Sequence, residues 1–222
     1  LDEHHAVFLG IGLGGVNALG AETDSDDISV NAVDFIAELR QAEDFAKVAV
    51  GRRVMVIGGG MTAIDVGTQA RLLGAQDVTI AYRRGRDNMN ASSAEQDQSS
   101  AKGVNIRHWM QPVEVTKSGS GSLNVKMEFT TLSEGKLTGT GKFETVEVDQ
   151  LFTAIGQTLA AGEAIGSIAV EHGRIRVDET FRTSNPSVWA GGDCVAGGDD
   201  LTVTAVAQGR DAAEAIHVDL GT

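Results

Sequence analysis

The stretch Val54-Met55-Val56-Ile57-Gly58-Gly59-Gly60-Met61-Thr62-Ala63-Ile64-Asp65 constrains this chain more than any other, because an apolar run passes through glycines directly into a helical pattern. An unbroken apolar run suits a parallel strand covered on both faces. Gly58 and Gly60 permit a tight turn and the close approach of a ligand's pyrophosphate, and Ala63 takes the third small position. The unpaired N–H groups that open the next helix, together with its dipole, favour an anion there. A lone GxGxxA in a chain with 28 glycines is weak evidence, so its setting has to decide.

That setting completes a βαβ unit. Residues 62–73 carry apolar Ile64, Val66, Ala70 and Leu73, Gly74 follows as a stop, and Asp77-Val78-Thr79-Ile80-Ala81-Tyr82 reads as the second strand. The end of that strand is where a dinucleotide-binding fold reads the adenosine ribose. No acid stands there. Arg83 and Arg84 do, with Arg86 close behind, and guanidinium groups suit a 2′-phosphate through paired, charge-assisted hydrogen bonds. The pattern favours NADPH, with NADH as the alternative. A solvated basic turn is the competing reading, and the clustering of arginines in a chain of formal charge −13 argues against it.

A chain of 222 residues can bury a real core and hold one large or two small domains. It has no apolar run near the roughly 20 residues of a membrane span, and Leu1-Asp2-Glu3-His4-His5 lacks the pattern of a signal peptide. A cytoplasmic protein is expected. The single cysteine, Cys194, fits a reducing compartment and excludes an internal disulfide or a C-x-x-C pair; it reads as a small buried hydrophobe. The acidic balance argues against a nucleic-acid partner.

Along the chain, residues 6–15 read as a short strand running into glycines that include Gly10 and Gly12, and residues 16–27 as loop. Asn31 is the expected N-cap of a helix whose face, Val33, Phe35, Ile36, Leu39 and Phe45, continues through Arg40 and Glu43. Ser92-Ser93-Ala94-Glu95 has capping-box spacing, and its helix should end near Lys102-Gly103. Residues 104–109 alternate as a strand. His108, with no nucleophile or acid arranged beside it, reads as structural. Residues 123–131 and 142–148 fit an antiparallel hairpin across a parallel sheet.

Residues 149–156 form another strand with a small-residue exit, Ala154-Ile155-Gly156, repeating the form of Phe8-Leu9-Gly10-Ile11-Gly12. The two like exits read as crossing points: the chain leaves one domain near Gly12, builds a dinucleotide domain over residues 47–156, and returns. The flanks should then pair into a second sheet. The tail supplies a hairpin around Gly173 and the strand Val188-Trp189-Ala190, which ends in Gly191-Gly192-Asp193 before a helix over residues 201–220. A carboxylate and a helix N-terminus, near Thr202, at a strand's carboxyl end suit a cofactor. Asp193 could accept a ribityl hydroxyl and the helix start could face a flavin's pyrimidine edge.

Ile57-Gly58-Gly59-Gly60-x-Thr62-Ala63-x-Asp65, Tyr82-Arg83-Arg84, Ala154-Ile155-Gly156 and Ala190-Gly191-Gly192-Asp193 span nearly the whole chain. In these motifs and their order the chain resembles the flavoprotein family of the glutamate synthase small subunit and the NAD(P)H-oxidising subunit of dihydropyrimidine dehydrogenase. Residues 60–65 and 106–109 look more like the dihydropyrimidine dehydrogenase branch. Arg86-Asp87-Asn88-Met89 is shared with glutamate synthase, where Asn90 stands in place of its usual proline.

The resemblance implies an α/β, Rossmann-like flavoprotein with two dinucleotide-binding domains, the NAD(P)-binding one (47–156) inserted in a partial FAD-binding domain (1–46 with linker, and 157–222). It implies contacts to the pyridine nucleotide from Gly58, Gly60, Met61, Thr62, Arg83, Arg84, Arg86, Ala154, Ile155 and Gly156, and to FAD from Gly10, Gly12, Gly192, Asp193 and Thr202. Electrons would pass from NADPH to FAD, then through iron–sulfur clusters to a catalytic partner subunit; no catalytic or metal residue is implied within this chain. The family's cysteine-rich cluster domain and first GxGxxG would precede Leu1, so a fragment is expected whose FAD binding is weak or absent. The alternative is a NAD(P)H-binding module without turnover.

Overall fold

A computed structural model describes residues 4–25, 28–119, 121–160, 162–197 and 201–221. The chain divides into two units, one formed by Leu1–Asn17 with Gln157–Thr222 and the other by Ala18–Gly156. In chain order, β1 (Val7–Leu9) and β2 (Gly15–Val16) open the first unit. The second unit contains β3 (Glu22–Thr23), β4 (Val30–Asn31), α1 (Ala32–Gln41), β5 (Arg53–Gly58), α2 (Met61–Leu72), β6 (Asp77–Tyr82), α3 (Ser93–Ala101) and β7 (Val104–His108). It continues with β8 (Met110–Lys117), β9 (Leu123–Ser133), β10 (Lys136–Val148) and β11 (Gln150–Ala154). The return to the first unit adds β12 (Gln157–Thr158), β13 (Val170–Glu171), β14 (Arg174–Ile175), β15 (Val188–Ala190) and α4 (Thr202–Leu220).

The second unit is built on a parallel sheet of order β4-β11-β5-β6-β7. Side chains alternate across a strand, so β5 feeds two cores. Val54 and Val56 join Phe35 and Leu39 of α1 and Ile64 and Val66 of α2, while Met55 and Ile57 join Met110, Val125 and Met127 from the antiparallel strands β8 and β9. Helices therefore cover one face of the sheet and an antiparallel layer of order β10-β9-β8 covers the other, with β3 parallel to β8 at its edge. This explains why β5 is apolar without a break. Arg107 ties the layers together through a bidentate pair with Glu144, at 2.8 and 2.7 Å.

Several local expectations need correction. The helix α1, placed by expectation ahead of the dinucleotide domain, packs on the central sheet of the second unit, with the Phe35 and Phe152 rings 4.6 Å apart. Residues 16–27 are not all loop: β2 and β3 fall there, and such short bridges leave no periodicity to read, while residues 26 and 27 lie outside the described residues. The first helix stops at Gln41. Phe45, expected on its face, begins a separate 3-10 turn capped by the Asp44 carboxylate accepting from the Ala46 N–H at 3.0 Å, and its ring is exposed. The hairpin is a three-stranded meander, since β8 was not anticipated. β8 carries Pro112, which cannot donate to the ladder, and its register shifts between Pro112 and Glu114. The β9–β10 connection narrows to Glu134 and Gly135, both at positive φ, as a type I′ turn requires.

The capping box is present as read: the Glu95 N–H donates to Ser92 Oγ at 3.3 Å and the Ser92 N–H to Glu95 Oε2 at 2.7 Å. The Ser92 hydroxyl and backbone hold the Glu95 carboxyl below its usual range. A carboxylate with a depressed folded-state pKa stabilises above its unfolded pKa and loses that contribution as pH falls through the folded value. Replacing Ser92 by Ala should cost about 1 kcal/mol in urea unfolding at neutral pH, with the difference shrinking in acid.

In the first unit β1 and β15 pair in parallel, Val7 with Val188, Phe8 with Trp189 and Leu9 with Ala190, so the flanks do share a sheet. β2 and β12 form an antiparallel ribbon, and β13 and β14 a hairpin through His172 and Gly173. Ile175, Ala190, Cys194 and Val195 make its core, with the Cys194 thiol donating to the Gly191 carbonyl at 3.2 Å. Cys194 is thus buried, as the reading of a small buried hydrophobe expects.

Candidate functional site

The glycines of the β5–α2 turn do three different things. A side chain on Gly58, at φ 155°, would collide with the Ala154 carbonyl of β11, so this glycine lets two strand ends close up. One on Gly59 would strike the Tyr82 ring at the end of β6. Gly60 has nothing within 4 Å of where a Cβ would stand, and its φ of −97° suits any residue. Packing does not require Gly60 to be glycine. Bare backbone facing open space is what a close-approaching ligand requires. Gly60 is also the N-cap of α2, with no side chain capping that end, and Ala63 is fully buried beneath it. Met61 and Thr62, as the first helical residues, have no carbonyl one turn earlier for their N–H groups. Met61 is exposed and Thr62 half-buried.

β6 delivers the arginines beside this turn, since β5 and β6 pair through Ile57 and Ala81. Arg83 is exposed and Arg84 half-buried, and neither guanidinium makes a hydrogen bond or ion pair among the described residues. Arg86 differs. Its guanidinium donates to Asp97 Oδ1 at 2.6 Å and to the Ser93 carbonyl at 3.4 Å, which ties it to α3. Two free cations therefore stand at the end of β6. The loop from Gly85 to Ala91 is held to the cradle, because the Ala91 N–H donates to the Gly59 carbonyl at 3.1 Å and the Tyr82 hydroxyl to the Asn88 carbonyl at 2.6 Å. Across the turn, Ala154 and Ile155 are half-buried and Gly156, at φ 98°, is exposed.

His108 pairs with Tyr82 in the sheet register. Burial, and then the charge of Arg86, push its pKa down, and its buried Nε2 has no hydrogen-bond partner among the described residues. No group of three metal-ligating side chains occurs among the described residues.

In the first unit, Phe8, Gly10, Gly12, Gly192, Asp193 and Thr202 line one cleft of about 330 Å³. Gly12 and Gly192 have φ of 58° and 79°. The Gly192 N–H is taken by Gln208 Oε1 at 2.7 Å and the Asp193 carbonyl accepts from Arg174 at 2.9 Å, so the turn is pinned from α4 and β14. Neither Phe8, which lines the cleft, nor Gln208, which holds the Gly192 N–H, was anticipated; both come to this turn through tertiary packing that no local motif announces. Among the described residues no side chain caps α4 at Leu201, a helix start of the kind that suits an anion or dipole.

The family described as pyridine nucleotide-disulphide oxidoreductase matches residues 4–209. The chain is 35% identical to the Escherichia coli K12 glutamate synthase [NADPH] small chain, over 97% of this chain and 50% of that protein. It is 33% identical to the NAD-dependent dihydropyrimidine dehydrogenase subunit PreT of the same organism, over 97% of this chain and 47% of that protein. Identity at this level does not separate the two branches, and the chain spans about half the length of these relatives. Thioredoxin reductase from T. acidophilum shares the fold, with a TM-score of 0.75 at 20% identity, covering 98% of this chain and 66% of the other.

Proposed function

Because the chain belongs to the pyridine nucleotide-disulphide oxidoreductase family, we propose that it takes electrons from NADPH to FAD and passes them to a partner subunit. The observation that carries this reading is in the second unit: an open Gly60 at an uncapped helix start, next to two unpaired guanidinium groups at the end of β6. The first feature suits a pyrophosphate, which needs bare backbone and N–H donors. The second suits a 2′-phosphate, whose charge would otherwise lie unpaired. NADPH meets both demands; NADH meets one. The relatives include both an NADPH and an NAD enzyme, so the choice rests on Arg83 and Arg84.

We assign the Ala18–Gly156 unit to the pyridine nucleotide and the other unit to part of the flavin site. Gly10, Gly12 and Gly192 keep side chains out of the cleft, Asp193 offers a carboxylate, and the start of α4 at Thr202 offers N–H groups and a positive dipole end. A volume of about 330 Å³ fits one end of a flavin dinucleotide. Bound NADPH supplies the hydride and bound FAD accepts it, so the chain's own residues bind and orient without acid or base catalysis. One cysteine cannot hold an iron–sulfur cluster, which takes four thiolates, so onward transfer uses centres outside these 222 residues. No helix among the described residues is long and apolar enough to cross a membrane. A reducing cytoplasm suits the lone buried thiol.

The test is a flavin absorbance scan with added FAD. The proposal expects weak FAD binding by this chain and, with FAD added in excess, a flavin band that bleaches on adding NADPH under nitrogen faster than for free FAD. A protein that binds NADPH yet leaves the band unchanged would instead be a nucleotide-binding module without turnover.

A further inference from the structure

We infer that Thr130 and Trp109 are positioning residues that set the preference for a 2′-phosphorylated cofactor, by locking the backbone that carries Arg83 and Arg84. This rests on the reading that those two arginines hold the 2′-phosphate. Their side chains are unpaired, but their backbone is not. The Thr130 hydroxyl donates to the Arg83 carbonyl at 2.8 Å, and the Trp109 N–H donates to the Arg84 carbonyl at 3.2 Å. The two donors are themselves joined, because the Thr130 N–H donates to the Trp109 carbonyl at 2.8 Å. Arg83, Arg84, Trp109 and Thr130 thus close one hydrogen-bonded ring.

Two features mark this ring as more than ordinary packing. Trp109 has φ of 61°, a left-handed conformation that a bulky residue adopts at a cost and keeps only where its surroundings over-determine it. Here they do: both its backbone groups are bonded, and its indole lies over Gly85, where a Cβ would stand only 2.8 Å from Cζ2. Thr130 is 5% exposed, so its hydroxyl is committed to Arg83 rather than to water. The strained turn lies where β7 leaves the parallel sheet and β8 enters the antiparallel one, and it holds the end of β6 against β9. Two long cations on a fixed backbone lose less freedom on gripping a phosphate than two on a mobile loop.

The experiment is direct titration of the full chain with NADPH and with NADH, for the parent, Thr130→Val and Thr130→Ser. Valine fills the same space without the hydroxyl. The ratio of NADPH to NADH affinity should fall about five- to tenfold in T130V, the scale of one hydrogen bond, and return in T130S. If T130V does not fold, Thr130→Ala carries the same comparison. An unchanged ratio, equal weakening of both cofactors, or failure of serine to restore the ratio would overturn the inference. R83A/R84A separates the two ideas: if it abolishes the preference while T130V keeps it, the inference fails and the cofactor reading stands. A parent protein that binds both cofactors equally overturns both.

Discussion

Replacing Arg83 and Arg84 together by Ala is expected to weaken NADPH binding by about 3 kcal/mol, roughly 150-fold, while NADH binding changes little. Each guanidinium should contribute a charge-assisted hydrogen bond to the 2′-phosphate, and each such bond is worth about 1.5–3 kcal/mol. The lower end applies because Arg83 is exposed and water screens it. Neither side chain has another partner among the described residues, so no structural ion pair is lost with it. Arg86 is the internal control. It is held by Asp97 and Ser93, and Arg86→Ala should therefore act on the α3 junction more than on cofactor choice. Fluorescence titration of the two cofactors reads all of these effects; a double variant that still prefers NADPH would return the arginines to a solvated turn.

The second large effect separates two glycines of one motif. Gly58→Ala should destabilise the protein by about 3 kcal/mol or more, because the new methyl group has to displace the Ala154 backbone between paired strands. Gly60→Ala meets nothing within 4 Å and should shift stability by only about 0.5 kcal/mol. Its methyl group would instead occupy the space through which a pyrophosphate approaches, weakening NADPH and NADH alike by about tenfold or more. Urea unfolding and cofactor titration of both variants check this. Similar unfolding midpoints for the two, or full nucleotide affinity in Gly60→Ala, would contradict the division of labour.

What could be read in advance was local. The β5–α2 turn, the arginines after β6 and the Ser92–Glu95 box each depend on neighbours a few residues away, and a neighbour in sequence is a neighbour in space there. The pairing of β1 with β15 was legible because two similar strand exits bracket an inserted unit. Partners across the sheet were not legible. Nothing near Gly58 announces that Ala154 will press on it, and Thr130 looks like one more alternating residue of β9 until β7 and β8 bring Trp109 beside it. The same limit applies to α1: its amphipathic face told that it packs on a sheet, but not on which one.

Calorimetric titration of the unmodified protein with NADPH and NADH under one buffer tests the central claim most directly. The account predicts that NADPH binds at least about tenfold more tightly, as one effective charged hydrogen bond to the 2′-phosphate requires. Equal dissociation constants, or tighter binding of NADH, would contradict it.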